Sequence, residues 1–349
     1  MKNRVKNVKV IAFFNNKGGV GKTTLVYHLA WMFANRGKRV LAVDLDPQAN
    51  LTAAFLDEDH LESLWPDEDT HKTIYGAVQP LQKVGDINQP YLKLIEDRLA
   101  LIPGDMALSN FEDDLSEAWP NCLAKKERAF LITSAFWRVM QKGASIHNAD
   151  IILIDLGPNL GATNRAALIA SDFIVIPLAP DLFSLQGLRN LGPTLSRWRI
   201  DWSERLDKNP DAQLALPSGT MNPIGYIVLQ HAIREDRTVK SYEKWIARIP
   251  SAYSNYVLGN NDPNVPSVIS DPHCLALLKH YRSLMPMAQE ARKPIFFLKP
   301  ADGALGAHAS AVKNVYKDFE SLAMNIAERT EMQWEYHPVQ KNFPILKDN

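Results

Sequence analysis

Short apolar runs, each followed by a glycine- or aspartate-rich turn and then by a segment of helical periodicity, recur along this chain. Residues 8–15 are apolar, β-branched and aromatic and end at a glycine cluster, the pattern of a buried strand. Leu25, Leu29, Met32 and Phe33 then repeat at helical spacing within residues 23–36, and Gly37 stands where such a helix would close. Residues 38–43 form a second apolar run ending in Asp44-Leu45-Asp46-Pro47. Strand, glycine-rich turn, helix and strand make a βαβ unit, which implies a parallel sheet buried on both faces.

The alternation returns further on. Strands are predicted at 98–102, 151–154 (ending in Asp155), 173–177, 224–229 and 294–298. Helices are predicted at 162–170, 185–198, 238–248 and, closing the chain, 305–327. The fold class is therefore α/β, a mostly parallel, doubly wound sheet flanked by helices. Residues 57–97, rich in charge, proline and aspartate, read as a peripheral insertion with short helices. Residues 250–266, rich in Asn, Pro and Ser, read as a long loop. No linker splits the chain, so residues 1–330 are expected to form one domain. The tail 331–349, with Trp334, Tyr336 and Phe343, either packs on that domain or docks a partner.

Composition narrows the classes. Lys+Arg and Asp+Glu are both 39 in 349 residues, so no global field draws the chain to nucleic acid or an anionic membrane, and any such affinity needs a local patch. The two cysteines, Cys122 and Cys274, lie far apart without a metal-binding spacing, as in a reducing compartment. Residues 1–8 are basic, but the apolar run after them is too short for a signal segment, and no stretch reaches transmembrane length. A cytoplasmic chain with no membrane partner is expected.

The turn after the first strand carries the chemistry. Lys17-Gly18-Gly19-Val20-Gly21-Lys22-Thr23-Thr24 follows a strand and opens a helix, as a phosphate loop does, although Asn16 stands where the common pattern has its first glycine. The glycines let successive N–H groups turn toward phosphate oxygens, and the helix N-terminus adds unpaired donors. Lys22 supplies a point charge for the β- and γ-phosphates, and Thr23 offers a hydroxyl to Mg²⁺. ATP and Mg²⁺ are the expected ligands. Lys17 is a second lysine in the loop, beyond what a phosphate loop needs. The third glycine of a dinucleotide fingerprint is missing.

These residues, together with Asp44-Leu45-Asp46-Pro47-Gln48-Ala49-Asn50, Leu101-Ile102-Pro103-Gly104, Ile154-Asp155-Leu156-Gly157-Pro158, Ser184-Leu185-Gln186-Gly187-Leu188 and Lys293-Pro294-Ile295, resemble the ParA (Soj-like) partition ATPases of the ParA/MinD branch. The resemblance implies a slow, partner-stimulated ATPase that pairs as a homodimer around ATP. By it, Lys17 reaches the partner's phosphates, Asp46 orients the attacking water, and Asp155 holds Mg²⁺ through water. Asp44 sits at a strand end behind them or merely caps it. It further implies non-specific DNA binding by the dimer, an adaptor protein that stimulates hydrolysis, a place in the bacterial cytoplasm on the nucleoid, and a plasmid, chromosome locus or other cargo to be positioned. Two departures stand out. The family's Thr-Pro-Pro after the aspartate matched here by Asp155 is Leu156-Gly157-Pro158 in this chain, without the hydroxyl. No helix-turn-helix precedes the loop, so sequence-specific operator binding is not expected.

For DNA the candidates are Arg237, Lys240, Lys244 and Arg248, at helical three- and four-residue spacing, with Arg282 further on. Such a stripe would track a phosphate backbone, with log affinity falling by roughly 0.9 per phosphate contact per decade of salt. The same charges, interspersed with Glu235, Asp236 and Glu243, equally suit a solvated helix face. The alternative function is a nucleotide-switched regulatory ATPase of a secretion, envelope or defence system without DNA binding. A metal-cluster carrier needs bridging cysteines whose spacing Cys122 and Cys274 do not have, and a MinD-type membrane protein needs a basic amphipathic tail, which residues 334–349 do not form.

Overall fold

The computed structural model describes residues 8–65, 72–229, 239–260, 266–279, 281, 283–304 and 306–334. The first unit is β1 (Lys9–Phe13), α1 (Lys22–Asn35) and β2 (Val40–Asp44). Helix α1 ends where the sequence says it must: Gly37 takes a φ of +83°, its N–H reaches Ala34 O at 3.0 Å, and the Lys38 N–H reaches Phe33 O at 3.0 Å. Those paired bonds satisfy the last helical carbonyls. Next come α2 (Asn50–Phe55), α3 (Glu58–Leu64), α4 (Ile74–Val78), β3 (Lys93–Glu96) and β4 (Leu99–Ile102). Helices α5 (Glu112–Leu123), α6 (Glu127–Thr133) and α7 (Ala135–His147) precede β5 (Ile151–Asp155) and α8 (Ala162–Ile169). The rest is β6 (Phe173–Leu178), α9 (Leu182–Leu206), β7 (Asn222–Leu229), α10 (Val239–Ile246), α11 (Ile249–Ala252), β8 (Cys274–Leu278), α12 (Leu284–Ala291) and α13 (Ala307–Arg329).

All eight strands share one sheet in the order β3-β4-β2-β5-β1-β6-β7-β8, parallel throughout except for the β3–β4 pair. This is the doubly wound P-loop architecture expected from the sequence. Alternate residues point to opposite layers. Ile11, Phe13, Leu153 and Val175 face α1 and α13, whereas Val10, Ala12, Ile152 and Ile174 face the layer of α5 to α9. The register sets Phe13 beside Asp155 and Asp155 beside Asp44, so β1, β5 and β2 end level with one another. Open α/β sheets bind ligands at such carboxyl ends, where the chain crosses from one side to the other.

Three expectations need correction. Residues 294–298 are no strand: Ile295–Phe297 make a 3₁₀ turn with buried side chains. The backbone bond that a sheet would have supplied comes from His28 on α1, whose Nε2 accepts from the Ile295 N–H at 3.1 Å. His28 Nδ1 lies 2.7 Å from Thr24 O and so carries the proton, and burial lowers the imidazole pKa to about 4. Residues 250–258 of the expected loop are not plain loop either: α11 is continued by a π-helical turn over Tyr253–Leu258, with Ile249, Pro250 and Tyr253 buried, and residues 261–265 lie outside the described residues. The helix expected at 185–198 runs the full length of α9 despite Pro193. Helices α5 to α7 and strands β3 and β8 had no counterpart in the periodicity reading. Of the tail, Trp334 stacks edge-on against Phe33 with ring centroids 5.8 Å apart, and residues 335–349 lie outside the described residues. No described helix is long and apolar enough to cross a membrane.

The π-helical turn sits on α9 at Gly192, where an added Cβ would lie 1.8 Å from Tyr256 O. Gly192→Ala should therefore lift this segment off α9 at a cost of about 1–3 kcal/mol. Urea denaturation would show the loss, and limited proteolysis should open the chain first near Tyr253–Leu258.

Candidate functional site

Between β1 and α1 the chain wraps as a phosphate loop requires. Gly19 and Gly21 have φ of +70° and +72°, a backbone that side chains disfavour, and a Cβ on Gly21 would meet Leu229 Cδ1 at 2.7 Å. Asn15 shapes the entry, donating Nδ2 to Pro177 O at 2.7 Å and accepting the Lys17 N–H at 3.0 Å. Asn16 Oδ1 is buried without a partner, under the point where Gly187 lets α9 approach. Lys22 is 7% exposed and folds back on its own loop, donating to Asn15 O at 3.1 Å and Lys17 O at 3.3 Å. Burial lowers its pKa, and the charges of Asp155 and Asp46 act against that shift.

Three carboxylates lie across from this ammonium. Asp155 is fully buried. Its Oδ2 accepts from the Thr23 hydroxyl at 2.7 Å, and its Oδ1 has no hydrogen-bond partner. Burial, followed by the charge of Asp44, pushes its pKa well above the usual carboxylate range. Asp44 is also fully buried. Its Oδ2 accepts from the Thr52 amide at 2.8 Å and hydroxyl at 2.7 Å, and that hydroxyl accepts from the Gly104 N–H at 2.7 Å. Burial raises Asp44 to about 7 against the pull of the Thr52 bonds. Asp44 thus braces the turn after β2, as its strand-end position suggested. Asp46 Oδ1 accepts from the Gln48 N–H at 3.0 Å and lies where a Cβ on Gly157 would come within 3.3 Å. The structure brings together Lys22, Thr23, Asp46 and Asp155, as the motif predicted. Thr52 was not foreseen.

Comparison with known proteins agrees with this geometry. An AAA domain family model matches residues 8–208, more than half of the chain. The chromosome partitioning protein ParA of Caulobacter vibrioides is 30% identical over 200 residues, covering 57% of this chain and 67% of that protein. The chain belongs to the ParA family. A putative replication protein A of Rhizobium rhizogenes is 35% identical over 183 residues, 52% of this chain and 43% of that protein. The chain spans about half the length of several curated relatives that it matches. Among solved structures, protein DIP2308 of Corynebacterium diphtheriae aligns with a TM-score of 0.68 at 26% identity, over 93% of this chain and 99% of that one.

Lys17, the second lysine of the loop, does not extend outward in this chain. Its ammonium is ion-paired with Asp181 and lies 5.9 Å from the centroid of the exposed Phe183 ring. Asp181 also caps α9, accepting the Ser184 N–H at 2.9 Å. Burial would raise the Asp181 carboxyl, but the bonds from Lys17 and Ser184 outweigh it and hold the group below its ordinary range. Asp181 was missed in the sequence, although an Asp directly before a helical run is itself a helix-start signal.

Of the DNA candidates, Lys244 and Arg248 are exposed and both lie over the Trp245 ring, 5.2 and 5.4 Å from its centroid. Lys240 lies on α10 with its side chain outside the description, and Arg237 and Arg282 lie outside the described residues. Beside Thr23 and Thr24 a cavity of about 380 Å³ opens between α1, α2 and α12, lined among others by Tyr27, Asn50, Met285 and Gln289.

The Thr52 network yields a pH-dependent prediction. Asp44 has a raised folded pKa, so its contribution to stability is present below its ordinary pKa and lost as pH rises through about 7. The Thr52 bonds favour the ionised form and limit that loss. Thr52→Val should cost about 1–3 kcal/mol, more near pH 8 than near pH 5. Urea titrations at the two pH values check both magnitude and sign.

Proposed function

We propose that this ParA-family chain hydrolyses ATP to ADP and phosphate, pairs with a second copy around the nucleotide, and in that state holds DNA without sequence preference to position a plasmid, chromosome locus or other cargo. The observation that carries the reading is the convergence of Lys22, Thr23, Asp46 and Asp155, with one oxygen of buried Asp155 left without a partner. The donor set fits Mg²⁺, a hard cation that takes hydroxyl and carboxylate oxygens and keeps several waters. Thr23 would hold it directly and Asp155 through water, and when bound it neutralises charge on the phosphates.

In this reading the N–H groups of Gly18 to Thr24 cradle the phosphates and Lys22 neutralises the β- and γ-oxygens. Asp46 orients the attacking water, a positioning task that suits a carboxylate fixed by the Gln48 N–H. Lys17 serves the partner's phosphates and leaves Asp181 to do so. Lys244 and Arg248, doubled in the dimer, would meet the DNA backbone, and an adaptor would speed hydrolysis and release. We read residues 1–330 as one domain that acts in the cytoplasm.

Gel filtration with ATP and Mg²⁺ tests the core of this. Asp46→Ala should bind ATP, cease to hydrolyse it and accumulate as dimer. Lys17→Ala should stay monomeric, and Lys22→Ala should lose nucleotide. If the Asp46 and Lys17 variants dimerise like wild type, the paired arrangement is wrong. DNA retention should need ATP and weaken with salt, and Lys244→Ala with Arg248→Ala should lower the salt slope by roughly 2 per protomer. No retention at low salt would leave a nucleotide switch with a different, non-DNA partner.

A further inference from the structure

The loop leaving Asp155, residues 156–161, touches both halves of the site. Gly157 lies against Asp46, and a Cβ on Gly18 would come 3.9 Å from Pro158 Cγ. This loop is tied down by a side chain of the helix that follows it. Asn164, 1% exposed, donates Nδ2 to Gly157 O at 2.9 Å and Asn159 O at 2.7 Å, with Asn159 Oδ1 at 3.0 Å.

Helix α8, which carries Asn164, has no cap from its own sequence, because Gly161 occupies the cap position. A carboxylate arrives from α5 instead. Glu112 Oε1 accepts the Ala162 N–H at 2.5 Å and Oε2 accepts the Thr163 N–H at 2.8 Å. The close approach explains Gly161, where a Cβ would sit 2.5 Å from Glu112 Oε1. Burial would raise the Glu112 carboxyl, but these bonds and the Arg165 charge outweigh it and hold the group below its ordinary range.

We propose that Glu112 is a positioning residue for ATP hydrolysis: by clamping the first turn of α8 to α5 it fixes Asn164, and through Asn164 the placement of Gly157 and Pro158 against Asp46 and the phosphate loop. The proposal rests on the ATPase reading above. Glu112 touches neither Lys22 nor any amide of residues 17–24, so its removal acts on turnover and leaves nucleotide affinity in place. Displacing reacting groups by about 1 Å costs on the order of a hundredfold in rate.

The test must separate positioning from ordinary helix capping. Glu112→Gln should bind ATP within about threefold of wild type while kcat falls roughly tenfold to a hundredfold. Glu112→Ala combined with Gly161→Asp provides the control. It restores a local cap at a position already in extended geometry, and it removes the carboxylate that would collide with the new side chain. This double variant should recover the melting temperature lost in Glu112→Ala but not the kcat, because the first turn of α8 is then no longer held to α5 by a carboxylate, even though Arg165 still reaches Leu115 O and the Trp119 ring further along. Amide exchange over residues 156–163 of the nucleotide-free protein should be faster than wild type in both. An unchanged kcat in Glu112→Gln, or kcat recovered together with stability in the double variant, would overturn the proposal. If the wild type turns over no ATP, the ATPase reading falls separately. The exchange comparison still decides the anchor, since equal exchange in wild type and Glu112→Ala sinks it.

Discussion

A buried ammonium is costly unless it is neutralised and fully hydrogen-bonded, and the arrangement around Lys22 answers that constraint. Two carbonyls of its own loop accept its hydrogen bonds, and Asp155 and Asp46 supply the opposing charge. Those carboxylates bring a cost of their own, because Asp44, Asp46 and Asp155 repel one another in a dry setting. Only the level ending of β1, β2 and β5 puts all these groups at one height, so the register of the central sheet is a condition of the site. A polyphosphate with a divalent cation satisfies both sides at once: anion to the lysine and amides, cation to the carboxylates.

Much of this was legible because central parallel strands are buried on both faces and write themselves as unbroken apolar runs. β1, β2, β5, β6 and β7, with α1 and α8 between them, lie within two residues of the expected boundaries. The run at 294–298 has the same local character, yet its backbone partner is a histidine 267 residues away, a fact no window of sequence holds. β8 is a five-residue edge strand whose burial is only partial, so its signal is weak. α5 does carry Leu115, Ala118, Trp119 and Cys122 at helical spacing, but Pro120 interrupts the pattern.

The site divides along the same line. Lys22, Thr23, Asp46 and Asp155 belong to contiguous motifs whose residue types follow from phosphate and metal chemistry. Asp181 and Glu112 act on partners 164 and 50 residues distant, and each looks in sequence like an ordinary helix-start carboxylate. Supporting residues of this kind are set by tertiary contact, so motif reading finds the groups that would touch the ligand and misses those that hold them still.

α9 joins several of these contacts. Its 25 residues span ~37 Å, with the partner of Lys17 at the first turn and the contact at Gly192 too close to admit even a methyl group. The cap that holds Lys17 and the seat of the Tyr253–Leu258 turn are thus two contacts of one helix, and the second of them falls at the Gly192-Pro193 step.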